Sequence, residues 1–164
     1  AGSPLTIIET VVAVNESRKK KMAVRVANAI GGDLKGKKIA VLGLTFKPNT
    51  DDMRESPSLD IVPAIQELGA DVFAYDPEGM KEAKHMLPDV NWCENAYDTM
   101  NDADALVIIT EWNEFRALDL DRVKSLMRNP VMVDLRNIYE SGEMAENGFQ
   151  YHSIGRPQRE VSSS

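Results

Sequence analysis

Short apolar runs alternate with helical segments between residues 38 and 154, and this alternation most constrains the fold. The runs that read as strands cover residues 38–43, 71–75, 90–92, 105–110, 130–134 and 149–154. Several of them are apolar at nearly every position, which is typical of strands that are buried on both faces of a parallel sheet. The pattern therefore predicts an α/β fold, a parallel sheet with helices on both faces and right-handed crossovers.

The segments between these runs are predicted helices. Ser56 and Pro57 supply an N-cap and a first-turn proline for a helix that continues to about Leu68, where Gly69 stops it. Shorter helical segments are predicted at residues 79–87, 96–100 and 119–127. Parallel strands need such crossover connections, so the helices and the sheet support each other as predictions.

A single long helix is predicted before the alternation begins. Apolar residues recur at helical spacing through residues 5–30, and Gly31 and Gly32 end the pattern. A helix of about 26 residues is about 39 Å long, which favours a strut between domains or subunits. The expected organisation is therefore a helix at 1–34, an α/β domain at 35–157 and a disordered polar tail at 158–164.

Composition excludes several classes of function. The net charge of −7 argues against nonspecific binding of nucleic acid, which relies on a basic surface. No apolar run approaches the roughly 20 residues that a membrane-spanning helix needs, so no membrane partner is expected. Cys93 is the only cysteine, which rules out an internal disulfide and favours a reducing, cytoplasmic location.

Cationic residues follow two of the predicted strands. Lys47 and Arg54 lie in the loop after the first strand, and Arg136 follows the strand at 130–134. Ligands of open parallel sheets bind at the carboxyl ends of the strands, where these side chains can converge on a phosphate. Arg54, among acidic neighbours, and Arg136, beside Asp134, have a local ion pair as an open alternative.

The first loop lacks the glycines of a dinucleotide-binding site. It reads Gly43-Leu44-Thr45-Phe46-Lys47-Pro48 rather than G-x-G-x-x-G, so its backbone is not expected to approach a pyrophosphate in the usual way. Asp76 follows the second strand, where a dinucleotide fold holds its ribose. Without the glycines, Asp76-Pro77 is predicted to form a turn.

The residues alone reveal no catalytic group and no metal site. Cys93 has no base beside it and is predicted to be a buried, inert thiol. His85 and His152 have no ligand-like spacing and are expected to be structural or surface residues. Trp92 and Trp112 are expected to pack in the core rather than stack on a ligand.

Several motifs are shared with one known family. They are Gly43-Leu44-Thr45-Phe46-Lys47-Pro48, Thr50-Asp51-Asp52-Met53-Arg54-Glu55-Ser56-Pro57, Tyr75-Asp76-Pro77, Thr110-Glu111-Trp112 with Phe115, Asp134-Leu135-Arg136-Asn137 and Gly155-Arg156-Pro157. With them, the chain closely resembles the C-terminal domain of the UDP-glucose/GDP-mannose dehydrogenase family. The helix that carries Val14-Asn15-Glu16 is similar to the central helix of this family, which links two Rossmann-like domains and forms the dimer.

The resemblance implies a function and assigns roles to four residues. Its Thr110-Glu111-Trp112 and Asp134–Asn137 patterns are most similar to members that use NAD to oxidise the C6 alcohol of UDP-glucose to UDP-glucuronate. By the same resemblance, Phe46, Lys47 and Arg136 contact the UDP-sugar, and Arg54 touches NAD across an interdomain cleft. Members that act on GDP-mannose or UDP-N-acetylmannosamine, and a noncatalytic module for nucleotide-sugar binding or dimerisation, remain alternatives.

Two departures from the family pattern limit what this chain is expected to do. The family's catalytic cysteine and its N-terminal NAD-binding domain precede the central helix and are absent from this sequence, and Cys93 does not match the catalytic position. We therefore expect the chain to be inactive alone. Many members carry an arginine early in the central helix that enters the partner subunit's substrate site. Thr6 occupies that position here, whereas a homodimer through the helix at 5–30 is still expected.

Overall fold

The computed structural model describes residues 24–29, 33–45, 47–49, 52–53, 56, 58–87 and 89–153. The strands in this part are β1 (Lys38–Leu42), β2 (Asp71–Tyr75), β3 (Asn91–Trp92), β4 (Ala105–Ile108), β5 (Val131–Asp134) and β6 (Gln150–Ser153). The helices are α1 (24–29), α2 (Ser58–Glu67), α3 (Met80–Met86), α4 (Ala96–Thr99), α5 (Asn113–Arg116), α6 (Leu120–Leu126) and α7 (Ser141–Glu146).

The strands form one parallel sheet in the order β3-β2-β1-β4-β5-β6. The chain adds β2 and β3 on one side of β1 and then returns to add β4, β5 and β6 on the other side. This order is that of dinucleotide-binding α/β folds, and its direction reverses between β1 and β4. The predicted parallel α/β sheet is confirmed.

Alternate residues of the central strands pack into two separate hydrophobic cores, one on each face of the sheet. Ile39 and Val41 pack in the layer that contains α1, α2 and α3, whereas Ala40 and Leu42 pack in the layer that contains α4 to α7. Every residue of β4 and β5 is buried, as expected for strands that are covered on both faces. Burial on both sides fixes the strand positions and so fixes the loops that leave them.

The predicted strands agree with the observed ones to within about two residues, but two helices were missed. The predicted helix after Ser56 begins at Ser58, and Gly69 follows it with a φ of +97°. α5 and α7 were not predicted. They are too short, at four and six residues, to show a 3.6-residue period, and neither begins with a capping side chain, whereas the equally short α4 is capped by Asn95.

Only part of the predicted long N-terminal helix can be compared with the structure. Residues 24–29 are helical, and Val26 and Ala27 are buried against the sheet. The rest of that prediction, including Thr6, lies outside the described residues, as does the predicted tail at 158–164. In the part of the chain that the structure describes, no helix is long and apolar enough to cross a membrane.

Candidate functional site

The carboxyl ends of β1, β2, β4 and β5, with the loops that follow them, form one continuous edge of the sheet, which we call the carboxyl edge. The reversal of strand order between β1 and β4 lies in its middle. At such a point, the loops that follow two neighbouring strands run in opposite directions and leave a crevice between them. This crevice is where α/β sheets bind ligands. Each of the four loops carries a residue that the sequence singled out: Lys47, Asp76, Trp112 and Arg136.

One oxygen of a buried carboxylate joins three of these loops. Asp76 follows β2 and is fully buried. Its Oδ2 accepts the backbone N–H of Leu44 at 2.7 Å, the backbone N–H of Thr45 at 3.2 Å and the indole N–H of Trp112 at 3.2 Å. The loop after β1 and the loop after β4 are therefore tied to the same atom.

The other oxygen of Asp76 organises its own loop. Oδ1 accepts the backbone N–H groups of Glu78 at 2.9 Å and Gly79 at 2.7 Å, just before α3 begins. The predicted turn at Asp76-Pro77 is therefore present. A Cβ on Gly79 would collide with the γ-methyl of Thr45, so the loops after β1 and β2 are in close contact.

A second close approach joins the loops after β1 and β4. Gly43 has a φ of +88°, and a Cβ built on it would lie 2.6 Å from the backbone nitrogen and from the Cβ of Thr110. The hydroxyl of Thr110 donates to the carbonyl of Thr45 at 2.7 Å. Only glycine fits at position 43. In dinucleotide-binding folds, the space beside such a glycine admits a pyrophosphate, whereas here Thr110 fills it.

The start of α2 is fixed to the same loop by two serines. The hydroxyls of Ser56 and Ser58 each donate to the carbonyl of Leu44 at 2.6 Å and lie 3.0 Å from each other. Ser56 Oγ also accepts the backbone N–H of Ser58 at 3.2 Å, which is a capping contact. The prediction of Ser56 as a cap is confirmed, and the cap also anchors the β1 loop.

Lys47 projects from this anchored loop. Its side chain is exposed, and its carbonyl lies 3.1 Å from the hydroxyl of Thr45, which is also 3.2 Å from Asp76 Oδ2. Asn49, two residues later, has a φ of +64°, a conformation that asparagine tolerates better than most residues. The backbone of Lys47 is therefore held while its ammonium group faces solvent.

Arg136 leans from the end of β5 toward β4. Its Nε donates to the carbonyl of Ile109 at 2.8 Å and lies 3.9 Å from the carboxylate of Glu111, and both charged side chains are about one-third exposed. The Asp134 carboxylate meanwhile accepts the backbone N–H of Arg136 at 2.9 Å. The guanidinium is thus held against the residues that follow β4, and β1, whose following loop carries Lys47, is the neighbour of β4 on its other side.

Two tyrosines complete the end of β5. The hydroxyl of Tyr151 on β6 donates to Asp134 Oδ2 at 2.6 Å, and Tyr139 donates its own hydroxyl to the carbonyl of Phe115. Burial, with the Asp134 charge as a further cause, raises the pKa of Tyr139 to about 12. Burial and the hydrogen bond to Asp134 raise the pKa of Tyr151 further. Both phenols therefore stay protonated near neutral pH.

Cys93 lies at the end of β3, the outermost strand on its side of the sheet. It is half-buried, so the prediction of a buried thiol is wrong in degree. Burial raises its pKa, and Asp98 raises it further, while Lys38 opposes them. A raised pKa lowers the thiolate fraction, which supports the prediction of an inert thiol.

Of the remaining residues considered in the sequence, the two histidines lie apart from this arrangement and Trp112 belongs to it. His85 is exposed on α3, and His152 is half-buried on β6. Trp112 is 93% buried in the core, which confirms it as a packing residue, although its bond to Asp76 was not predicted. Among the described residues, no group of three or more potential ligands could hold a metal ion.

Of the four predicted site residues, the structure describes Lys47 and Arg136 and places both at the carboxyl edge. Phe46 and Arg54 lie outside the described residues. Sequence reasoning missed the hydrogen bonds that connect Asp76 to Thr45 and Trp112. An aspartate directly after a strand, followed three residues later by a glycine, was the available signal.

Comparison with known proteins identifies relatives along nearly the whole chain. Residues 40–141 match the UDP-binding domain of the UDP-glucose/GDP-mannose dehydrogenase family. The chain is 57% identical over 155 residues to a UDP-glucose 6-dehydrogenase of Rhizobium meliloti and 44% identical over 158 residues to one of Bacillus subtilis. These alignments cover 94% and 96% of this chain, but 36% and 34% of those proteins.

Solved structures give the same assignment of fold. A UDP-glucose dehydrogenase of Pyrobaculum islandicum superimposes with a TM-score of 0.70 at 30% identity, over 95% of this chain and 34% of that one. A UDP-D-ManNAc dehydrogenase of Pyrococcus horikoshii superimposes with a TM-score of 0.66 at 27% identity, over 86% and 31% of the two chains. The chain thus spans about a third of the length of its relatives.

Proposed function

Because this chain belongs to the UDP-glucose/GDP-mannose dehydrogenase family, we propose that it is the UDP-sugar-binding part of an NAD-dependent UDP-glucose 6-dehydrogenase. Two curated relatives that carry this name are 57% and 44% identical to it over almost its whole length. The complete enzyme would oxidise the C6 alcohol of UDP-glucose to a carboxylate in two hydride transfers.

The observation that supports the proposal is that two cationic residues lie in the loops that follow the strands on either side of β4. Lys47 follows β1 and Arg136 follows β5, and β4 lies between these strands. Arg136 is held over the β4 loop by the carbonyl of Ile109. A diphosphate that lies across this loop would meet the point charge of Lys47 at one end and the planar fork of Arg136 at the other. Phe46, next to Lys47, would contact the same ligand.

The described residues do not fit a dinucleotide of their own. The backbone N–H groups of Leu44 and Thr45, which begin the loop that holds the pyrophosphate in dinucleotide folds, donate to Asp76 instead. The carboxylate that would bind a ribose is enclosed. We therefore assign NAD, which accepts hydride when bound, to the part of the longer protein outside this sequence, with Arg54 as a contact across the cleft.

The division of labour follows from these assignments. Residues 35–157 would bind the nucleotide sugar, and residues 1–34 would form the helix that pairs two subunits. No residue of this chain is proposed to be catalytic, since Cys93 is an unactivated thiol on the outermost strand beside β2. NAD-dependent turnover of UDP-glucose by this chain alone would contradict this division.

Calorimetric titration with UDP tests the proposed site. We expect Lys47→Ala and Arg136→Ala each to raise the Kd for UDP by about tenfold, because each removes a charge-assisted contact of about 1.5 kcal/mol. Raising the salt concentration should weaken binding by the original chain more than binding by either variant. GDP and UDP-glucose, titrated in parallel, separate a uridine site from a guanosine site.

Matched controls come from the opposite edge of the sheet. Lys35 precedes β1 and Arg128 precedes β5, and both side chains are exposed. Lys35→Ala and Arg128→Ala should leave the Kd within about twofold of the original, since an exposed charge that is distant from the ligand contributes little. Equal losses in all four variants would show a diffuse charge effect and would contradict a site at the carboxyl edge.

A further inference from the structure

We infer that Asp76 is a positioning residue for nucleotide binding: its buried carboxylate holds the β1 loop in the conformation that presents Lys47. The inference rests on the proposed function of the carboxyl edge. Asp76 itself is fully buried and is not expected to touch the ligand.

The first argument is connectivity. Oδ2 of Asp76 joins Leu44 and Thr45 of the β1 loop to Trp112 of the β4 loop, although these partners lie 31 to 36 residues away in sequence. Oδ1 joins the same group to the start of α3. One side chain therefore sets the relative position of three loops, and two of these loops flank the reversal point of the sheet.

The second argument is chemical. Five N–H groups point at this carboxylate, three at Oδ2 and two at Oδ1. An asparagine has nearly the same shape, but whichever way its amide is turned, an NH₂ group meets N–H donors. Asp76→Asn therefore removes one of the two acceptor oxygens without changing the volume, and either the three N–H groups at Oδ2 or the two at Oδ1 lose their partner.

The third argument connects Asp76 to Lys47. Thr45 is held through its N–H by Asp76 and through its carbonyl by the hydroxyl of Thr110. Its own hydroxyl lies within hydrogen-bonding distance of the carbonyl of Lys47. If Asp76 no longer holds Thr45, the Lys47 backbone gains freedom that ligand binding must then remove, which lowers affinity without changing any charge at the site.

Calorimetric titration of the Asp76→Asn chain with UDP tests the inference. We expect the Kd to rise by about tenfold while the protein stays folded at the temperature of the titration. Trp112→Phe is the second variant, since it keeps one aromatic ring and removes the indole N–H donor together with the five-membered ring. A rise in Kd of about threefold is expected for it.

Asp104→Asn is the matched control. Asp104 is also a buried carboxylate, but it lies at the opposite edge, where it accepts the backbone N–H of Lys38 at 2.9 Å. It should lower the melting temperature, as Asp76→Asn does, and leave the Kd for UDP within about twofold of the original. A purely structural role for Asp76 would make the two variants alike.

Amide hydrogen exchange separates the possible results. Faster exchange at Leu44 and Thr45 in Asp76→Asn, together with the higher Kd, supports the inference. Faster exchange at these two amides with an unchanged Kd, or an unchanged Kd in both Asp76→Asn and Trp112→Phe, overturns it. Failure of the original chain to bind UDP instead contradicts the proposed function, and the inference falls with it.

Discussion

At the scale of single residues, the carboxyl edge depends on two glycines at which a larger side chain would clash with a neighbouring loop. Gly43 lets the β1 loop pass against the backbone of Thr110, and Gly79 lets the β2 loop pass against Thr45. These contacts bring the loops close enough for the hydrogen bonds of Asp76 to form. The site is therefore built from packing as much as from charge.

Gly43→Ala should be far more destabilising than an ordinary glycine substitution. The new methyl group would lie 2.6 Å from two atoms of Thr110, at a φ of +88° that favours glycine. Overpacking and backbone strain together should lower the free energy of unfolding by about 2–5 kcal/mol. Urea denaturation followed by tryptophan fluorescence measures this change.

Gly36 supplies the control for that measurement. Its φ is +74°, but a Cβ at this position would meet nothing within 4 Å. Gly36→Ala should therefore cost only the strain, about 1 kcal/mol. Equal losses for the two variants would mean that the contact with Thr110 does not constrain the loop.

The positions of the charged residues of the candidate site were easier to predict from the sequence than the contacts of its buried residue, Asp76. Lys47 and Arg136 were predicted because a cation just after a strand has a defined place in a parallel sheet. Asp76 was predicted as a turn, which describes Oδ1 alone. The partners of Oδ2 come from two other loops, and the strand order that brings them together is a product of tertiary packing.

At the scale of elements, all six strands of the described sheet were predicted, whereas the helices α5 and α7 were not. Continuous apolar runs identified β1, β4 and β5 because burial on both faces leaves a clear composition. α5 is four residues long and is held mainly by Phe115, which is fully buried and meets the ring of Tyr75 edge to face. Such a helix exists because of its contacts, which the local sequence does not display.

Two half-buried tyrosines next to the end of β5 should make the stability of the fold depend on pH. Tyr139 and Tyr151 have raised pKa values in the folded protein, whereas tyrosine in an unfolded chain has a pKa of about 10. Folding therefore retains their protons. This contribution is present in full below about pH 10 and decreases as the pH rises through the folded pKa values.

Urea denaturation at about pH 8, 10 and 11 should show this loss. Above about pH 10 the free energy of unfolding should fall by at most about 1.4 kcal/mol per pH unit for each such tyrosine. Tyr151→Phe is the variant for comparison, since it keeps the aromatic ring and leaves every other titratable group, including the lysines, in place. The variant should be less stable at about pH 8 and lose less stability above about pH 10. Parallel pH profiles for the two proteins would rule out the Tyr151 contribution.

At the scale of the whole molecule, the strand order of a dinucleotide-binding sheet is combined with a β1 loop that lacks the G-x-G-x-x-G glycines. The strand order is that of a nucleotide-binding fold, and the reversal between β1 and β4 is where such folds bind. In this chain the beginning of the β1 loop packs against Thr110 and is hydrogen-bonded to Asp76, while Lys47 in the same loop is exposed.

The central claim is that UDP binds across the loops after β1, β4 and β5, and mapping of amide chemical shifts during a UDP titration tests it most directly. The account predicts saturable shifts at residues 44–49, 109–112 and 135–138, with GDP much weaker than UDP. Residues 35–37, 101–104 and 128–130 at the opposite edge should not respond. Shifts centred on the opposite edge, or no shifts with UDP near saturation of the expected site, would contradict the account.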